Sequence, residues 1–252
     1  MHILRIQARL MPDADLSIII PAHNEADKIS RDITEAADFL RSADLTGDII
    51  IVDDASTDNT TQIAQQTQVP EGVKLKVITL EQNRGKGFAV KTGMLQSTGR
   101  FAMFADSGCC IAFSEALTGI QLIKQGRCHI AIGSRKLASS QIVRGQSLQR
   151  RICSWLFFHV VVRRTRSLRH IADTQCGFKV FDGDIARELF AASVIEGFLL
   201  DIEILLLGLK RGCQVEEFPV KWTCDLDSRL SPHRHLYPIL CDLQRVRRLT
   251  RP

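Results

Sequence analysis

Short apolar runs alternate with amphipathic stretches over the first 135 residues of the chain, and this alternation limits the fold more than any other feature. The stretch after the first run repeats apolar residues at helical spacing, at Ile29, Ile33 and Leu40. Strands that alternate with helices form a parallel sheet with helices on both faces, in an α/β fold. We therefore predict a Rossmann-like nucleotide-binding half over residues 16–135. Its strands are the apolar runs at residues 16–20, 48–52, 73–79, 101–105 and 129–132.

Acidic residues directly follow two of these predicted strands. Asp53 and Asp54 follow the second strand, and Asp106 follows the fourth. Ligands of open α/β sheets bind at the carboxyl ends of the strands. Asp106 is therefore a candidate site residue, and Asp53 and Asp54 are placed where a carboxylate can bind a base or a ribose. Taken alone, Asp106 also fits an acid that begins a turn.

A glycine-rich loop follows the third predicted strand. Residues 83–87 have the sequence NRGKG and precede a helical run at residues 88–97. Glycines on both sides of Lys86 let the backbone approach a diphosphate, with Lys86 as the counter-charge. The loop lacks the spacing of a P-loop, and a glycine-rich helix entry also accounts for it. The Gly-x-Gly-x-x-Gly motif of dinucleotide enzymes is absent from the sequence, which disfavours a dehydrogenase.

The net charge of +5 is unevenly distributed along the chain. Residues 141–172 contain seven arginines and no acid, and residues 229–252 contain six arginines and one acid. This concentration of positive charge predicts an anionic partner, which is phosphate, a lipid headgroup or nucleic acid. Nucleic acid is disfavoured, because one tyrosine and two tryptophans leave few rings that can stack on bases.

The cysteine pattern and the hydropathy indicate a chain of the cytoplasm. The eight cysteines include no Cys-x-x-Cys pair, and most lie in apolar or helical surroundings. The first ten residues include two arginines and do not resemble a leader peptide. No apolar run reaches the ~20 residues that a membrane-spanning helix needs. We therefore expect a cytoplasmic protein that is either soluble or peripheral to a membrane.

Seven motifs, taken together and in their order along the chain, resemble those of family 2 glycosyltransferases. They are IIIPAHNE at residues 18–25, IVDDASTDNT at 51–60, NRGKG at 83–87, FAD at 104–106, GSR at 133–135, DTQCGFKVF at 173–181 and VKW at 220–222. The branch that they resemble most contains the dolichyl-phosphate and polyprenyl-phosphate glucosyl- and mannosyltransferases. The resemblance implies a GT-A fold over residues 16–229, with an acceptor half at 136–229. An N-terminal extension at 1–15 and a basic C-terminal tail at 230–252 would flank it.

The resemblance also implies roles for individual residues. Asp106 would hold Mg²⁺ or Mn²⁺ beside the donor diphosphate, where a hard cation stabilises the leaving nucleotide. Arg135 and Arg229 would neutralise phosphate of the donor or the acceptor. The donor nucleotide sugar would contact Pro21, Ala22, Glu25, Ile51, Asp53, Asp54, Lys86, Ala105 and Asp106.

One position departs from the family pattern. The family usually has Asp-x-Asp after the fourth strand, whereas this chain has Asp106, Ser107 and Gly108. Loss of one carboxylate weakens metal binding unless water, Ser107 or an acid from elsewhere takes its place. The alternative is a chain that no longer turns over a donor and only binds nucleotide or lipid phosphate.

An apolar run at residues 148–162, flanked by arginine pairs, is too short to span a bilayer. Tryptophan and phenylalanine within a basic frame fit a helix that lies in the headgroup layer. A buried helix with arginine at its ends is the alternative. The family resemblance favours C-terminal interfacial helices, with an anionic membrane surface as a partner.

Four polar residues of the acceptor half are further candidates. In the family, the motif at residues 173–181 borders the reaction centre, so Asp173 and Gln175 are expected to contact the sugar or the acceptor. Lys179 would pair either with phosphate or with a neighbouring acid. Asp201, on an apolar helix predicted at residues 198–210, is either an acid near the acceptor or a helix N-cap.

These implications describe an inverting glycosyltransferase that moves a hexose from UDP-glucose or GDP-mannose to a polyprenyl or dolichyl phosphate. The reaction would occur at the cytoplasmic face of a membrane, with Asp106, Asp173, Gln175 and Arg135 as catalytic residues. An ionised phosphate acceptor needs no strong general base. A soluble enzyme with a hydroxyl acceptor needs one, and Asp173 or Asp201 would then supply it.

Overall fold

The computed structural model describes residues 14–145, 166–224 and 242–246. The strands in these residues are β1 Ala14–Ala22, β2 Gly47–Asp53, β3 Val73–Thr79, β4 Gly99–Ala105, β5 Ile130–Ser134, β6 Gln141–Arg144, β7 Phe178–Asp182, β8 Val215–Pro219 and β9 Lys221–Thr223. The helices are α1 Ile29–Ser42, α2 Thr60–Gln66, α3 Lys86–Leu95, α4 Ala116–Lys124, α5 Gly183–Ala192 and α6 Leu200–Lys210. The described strands form a seven-stranded sheet in the order β3-β2-β1-β4-β7-β5-β8 and a small sheet of β6 and β9.

The central strands are buried on both faces. Ile18, Ile19 and Ile20 of β1 have no exposed surface, and residues 49–52 of β2 have none either. Such continuous aliphatic runs are typical of parallel strands that are covered by helices on both sides. β3 lies at the sheet edge and is only partly buried. The predicted α/β fold, with a mostly parallel sheet and helices on both faces, is confirmed.

Strand β7 is the exception to the parallel arrangement. It lies between β4 and β5 and runs antiparallel to both, with Phe178 opposite Ala105. The chain therefore enters β7 at the edge where β4 and β5 end. This reversal brings residues 173–177 next to the positions that follow those two strands, which are Asp106 and Arg135.

Several local predictions need correction. The sequence pattern favours Asn24 as the N-cap of the first helix, but α1 begins at Ile29. Asn24 instead has a left-handed backbone, with φ of 55°. Its side-chain oxygen accepts from the backbone N–H of Thr57 over 2.7 Å, so it holds the loop after β2. The pattern also favours Asp184 as the cap of a helix with Ile185, Leu189 and Phe190, but Asp182 caps that helix, α5.

The apolar run at residues 214–222 forms two strands and not the single strand that its pattern favours. β8 pairs with β5 in the large sheet, whereas β9 pairs with β6 in the small one. Pro219 ends β8 because proline has no backbone N–H to donate to a further ladder position.

The predicted interfacial helix at 148–162 and Arg229 lie outside the described residues. In the part of the chain that the structure covers, every helix is too short or too polar to cross a membrane. Residues 242–246 are helical, with Asp242 and Val246 buried. This piece of the predicted basic tail therefore packs against the domain.

Candidate active site

Asp106 and Lys86 form an ion pair at the carboxyl edge of the sheet. Lys86 begins α3, and its Nζ lies 2.6 Å from Oδ1 of Asp106. The Asp106 side chain is 45% exposed, so its carboxylate remains accessible to a ligand. Burial alone would lower the pKa of Lys86, but the Asp106 and Asp201 carboxylates raise it above its usual 10.5. The ammonium group therefore stays charged beside Asp106.

Gly177 lies directly against the Asp106 carboxylate. The backbone N–H of Asp106 donates to the carbonyl of Gly177 over 2.9 Å. A Cβ atom at position 177 would lie 2.0 Å from Oδ2 of Asp106 and 2.2 Å from its Cγ. Non-bonded atoms do not approach so closely, so only glycine lets the chain pass beside this carboxylate. The contact joins the loop before β7 to the end of β4.

We expect Gly177→Ala to displace the Asp106 side chain and to lower turnover by about 10²-fold, the cost of a shift of about 1 Å in a reacting geometry. Steady-state kinetics of the glycosyl transfer that the family resemblance implies, measured on the purified variant, give this loss. Gly145→Ala is the matched control, because a Cβ atom at that position meets nothing within 4 Å. Wild-type turnover in Gly177→Ala would contradict the placement of Asp106 in the reaction centre.

Arg135 and Asp173 form a bidentate ion pair next to this edge. Two side-chain nitrogens of Arg135 donate to the two oxygens of Asp173, each over 2.7 Å, and the Arg135 backbone N–H donates over 2.9 Å. Asp173 is 1% exposed. Burial alone would raise the pKa of Asp173, but the hydrogen bonds and charge of Arg135 hold it below its usual 3.8. Asp173 is therefore a weak base that fixes the Arg135 guanidinium in place.

Glu217 holds this ion pair from a second side, and sequence reasoning missed it. Its carboxylate accepts from the backbone N–H groups of Ala172 over 2.7 Å and Asp173 over 2.9 Å. Glu217 lies in β8, beside the strand that leads to Arg135. No local signal distinguishes this glutamate from an exposed strand residue, since only the pairing of β8 with β5 brings it to the site.

Lys179 and Asp201 form a third ion pair, which is almost fully buried. Nζ of Lys179 donates to the Asp201 carboxylate and, over 2.6 Å, to the carbonyl of Cys176. The two side chains are 1% and 7% exposed. Lys179 thus has a neighbouring acid as its partner, which is one of the two predicted alternatives. Leu199 is the N-cap of α6, so the N-cap interpretation of Asp201 is wrong, while contact with the acceptor stays a prediction for both residues.

Asp53 and Asp54, at the end of β2, hold two loops of the nucleotide-binding half. Asp53 accepts from the Ser56 backbone N–H over 3.1 Å and from two nearby hydroxyls. Asp54 accepts from the backbone N–H groups of Arg84 over 2.8 Å and Gly85 over 2.7 Å. Both acids are buried. Asp54 therefore fixes the loop that presents Lys86, and direct contact of either acid with a donor stays a prediction.

The remaining donor candidates lie at or behind the same edge. Pro21 and Ala22 end β1, beside the last residues of β2. Ala105 ends β4, and Ile51 lies fully buried in the sheet. Glu25 is partly buried, and its backbone N–H donates to the Thr60 hydroxyl over 2.7 Å. The structure brings these residues together, and their contacts with a donor stay predictions.

Asp106 offers one carboxylate to a divalent cation. Over the described residues, no three His, Cys, Asp or Glu side chains are placed to hold a metal ion. Mg²⁺ is commonly bound by one or two carboxylates together with substrate phosphates and water. An accessible Asp106 beside a cationic Lys86 fits that arrangement, in which the donor diphosphate supplies further ligands.

Comparison with known proteins gives the family of this chain. The model of "Glycosyl transferase family 2" matches residues 17–190. The dolichyl-phosphate beta-glucosyltransferase of Saccharomyces cerevisiae is 35% identical over 82% of this chain and 66% of its own length, so the chain spans just under two thirds of that relative. The enzyme of the same name from Dictyostelium discoideum is 33% identical over 92% of this chain and 73% of its own length.

Solved structures with the same fold have lower sequence identity. Mannosyl-3-phosphoglycerate synthase from Rubrobacter xylanophilus superposes with a TM-score of 0.65 at 18% identity, over 93% of this chain and 75% of that chain. Glucosyl-3-phosphoglycerate synthase from Mycobacterium tuberculosis, in complex with Mn²⁺, UDP-glucose and phosphoglyceric acid, gives 0.63 at 17% identity, over 95% and 81%. Both support the GT-A fold. Together with the family match and the curated relatives, the motifs and the fold establish that this chain belongs to glycosyl transferase family 2.

Proposed function

We propose that this chain transfers glucose from UDP-glucose to the phosphate of dolichyl or polyprenyl phosphate, with inversion at the anomeric carbon. The names of the curated relatives support glucose over mannose. A structural neighbour that holds UDP-glucose supports a uridine donor. The reaction takes place at the cytoplasmic face of a membrane, where the basic C-terminal half meets anionic lipid.

The pairing of the two candidate bases is the observation that supports a phosphate acceptor. Asp173 is bound on both oxygens by Arg135, and Asp201 is bound by Lys179. A hydroxyl acceptor needs a free general base in the transition state. A phosphate monoester, with a second pKa of about 6, is mostly ionised at pH 7 and attacks without one.

Positioning and charge neutralisation accelerate this transfer. Lys86 faces the donor diphosphate beside Asp106, and Arg135 has five N–H donors, of which two bind the Asp173 carboxylate. The remaining donors of Arg135 bind a phosphate oxygen, and Arg229 adds a further positive charge. When bound at Asp106, Mg²⁺ or Mn²⁺ supplies Lewis-acid stabilisation of the leaving nucleotide. The acceptor oxygen attacks the anomeric carbon as UDP leaves, and this displacement inverts the configuration.

Transfer of radiolabelled sugar into an organic-extractable product tests the proposal. The purified chain is incubated with labelled UDP-glucose or GDP-mannose, with and without polyprenyl phosphate, in Mg²⁺, Mn²⁺ or EDTA. We expect label from UDP-glucose only, dependent on the lipid phosphate and lost in EDTA. Label from GDP-mannose alone would contradict the donor, and label on a water-soluble hydroxyl would contradict the acceptor. Nucleotide binding without any product would indicate a non-catalytic descendant.

Flotation with phospholipid vesicles tests the membrane partner separately. We expect the chain to float with vesicles that contain anionic lipid and to stay in the aqueous fraction with neutral vesicles or at high salt, because salt screens exposed charges. Equal recovery with both vesicle types would contradict an anionic membrane surface.

Gln175 supplies an independent test of the site. Its Nε2 is buried and has no hydrogen-bond partner among the described residues. Leaving such a donor unpaired costs about 1–3 kcal/mol, whereas an oxygen of the sugar or a phosphate would satisfy it.

We therefore expect Gln175→Met to keep or raise the melting temperature while it lowers kcat/KM by about 10- to 100-fold, the value of a hydrogen bond to a charged group. Thermal unfolding and steady-state kinetics measure the two effects, with Gln121→Met on the exposed face of α4 as the control. A lower melting temperature with unchanged kinetics would show that the amide serves only the fold.

A further inference from the structure

The turn after Asp106 has an unusual backbone. Gly108 has φ of 95° and Cys109 has φ of 48°, so two successive residues lie in the left-handed region. Glycine adopts such a conformation readily, whereas a residue with a Cβ atom adopts it at a cost. Something outside the turn must therefore hold it, because the turn itself is strained at Cys109.

A buried carboxylate from α1 holds this turn. Oδ2 of Asp32 accepts from the backbone N–H of Gly108 over 2.7 Å, and Oδ1 accepts from the Cys109 thiol over 2.9 Å. Arg31 is the nearest cation, with a nitrogen 3.6 Å from Oδ1. Asp32 is 1% exposed and lies on the face of α1 that packs into the core. An acid is costly at such a position unless it makes hydrogen bonds, so these two contacts account for its presence.

The contacts of Asp32 also restrain the backbone that follows Asp106. Asp106 lies two residues before Gly108, and its backbone N–H is held on the other side by the carbonyl of Gly177. With both ends of this short segment restrained, the backbone places Asp106 where its carboxylate reaches Lys86.

We propose that Asp32 is a positioning residue, which sets the turn at residues 107–109 so that Asp106 faces the donor diphosphate. This inference rests on the proposed glucosyl transfer. It also accounts for the missing second acid of Asp-x-Asp. Position 108 needs the positive φ that the Asp32 contact selects. An aspartate at this position would be strained, so the turn carries one carboxylate, that of Asp106.

Hydrogen exchange and kinetics of Asp32→Asn test the proposal, with Asp38→Asn on the exposed face of α1 as the matched control. The amide group of asparagine loses one of the two contacts, because its nitrogen cannot accept a hydrogen bond. We expect faster exchange in peptides that span residues 106–110 and a 10- to 100-fold rise in the Mn²⁺ concentration for half-maximal transfer, the usual effect of losing an outer-shell partner. Wild-type exchange and Mn²⁺ dependence in Asp32→Asn would overturn the proposal.

Three further variants keep the test decisive if Asp32→Asn folds poorly. Cys109→Ser retains a donor to Asp32 and should keep the exchange protection, whereas Cys109→Ala should lose part of it. Gly108→Asp should not tighten Mn²⁺ binding, and a tighter site in that variant would overturn the account of the single carboxylate. If the wild-type chain transfers no glucose, the proposed function fails, while exchange in the two Cys109 variants still tests the contact with Asp32.

Discussion

Asp106→Asn is expected to lower glucose transfer by about 10³-fold, the upper range for removal of one preorganised charged group from a reaction centre. Asparagine keeps the size of the side chain but removes the charge that pairs with Lys86 and that, in the proposed mechanism, binds a cation beside the diphosphate. Because Asp106 is the single acid of the motif in this chain, no neighbouring carboxylate of the turn can compensate. Half of this side chain is exposed, so we expect the melting temperature to change little.

Glu71→Gln is the control for this variant. Glu71 is exposed and lies just before β3, at the amino ends of the strands and therefore away from Asp106. The same change of charge there should leave transfer intact. Transfer within tenfold of wild type in Asp106→Asn would contradict the central role of this carboxylate.

Lys179→Met is expected to destabilise the fold by about 3–5 kcal/mol, because it leaves the buried Asp201 carboxylate without its directly bonded counter-charge. Both side chains are almost fully buried, and the Lys179 ammonium donates to Asp201 and to a backbone carbonyl. Replacing both partners by apolar residues of similar volume is often neutral, so Lys179→Met with Asp201→Leu should recover most of the loss.

Denaturant unfolding of wild type, Lys179→Met, Asp201→Leu and the double variant completes a double-mutant cycle. The cycle isolates the interaction free energy between the two side chains. The same cycle tests whether either residue contacts the acceptor. Recovery of both stability and transfer in the double variant indicates a structural ion pair. Recovery of stability without recovery of transfer would support the predicted contact with the acceptor. Additive losses would contradict the pair itself.

The strands and the position of Asp106 at the end of β4 could be predicted because each has a local signal. β1, β2 and β4 are short runs of buried residues, and an acid follows two of them directly. The carboxyl ends of parallel strands lie at one edge of a sheet, so the approach of Asp106 to the loop with Lys86 follows from the topology.

The partners of the buried charges could not be predicted in the same way. Asp173 lies 38 residues from Arg135, and they meet because β7 runs antiparallel between β4 and β5. No spacing rule encodes that reversal, since a strand has the same alternation in either direction. Asp32 is a similar case, because it lies within an amphipathic helix and contacts a turn 76 residues later. Asn24 has the residue type of a helix cap, but its left-handed backbone directs the side chain to another loop.

The anomeric configuration of the product tests the central claim most directly. UDP-glucose carries an α-linked sugar, and direct attack by an acceptor phosphate, without a base or a covalent intermediate, gives a β-linked glucosyl phosphate lipid. Proton NMR of the purified lipid product distinguishes the two anomers. We expect the β anomer alone, formed by the wild-type chain and lost in Asp106→Asn. An α-linked product, or glucose joined to a hydroxyl, would contradict the mechanism.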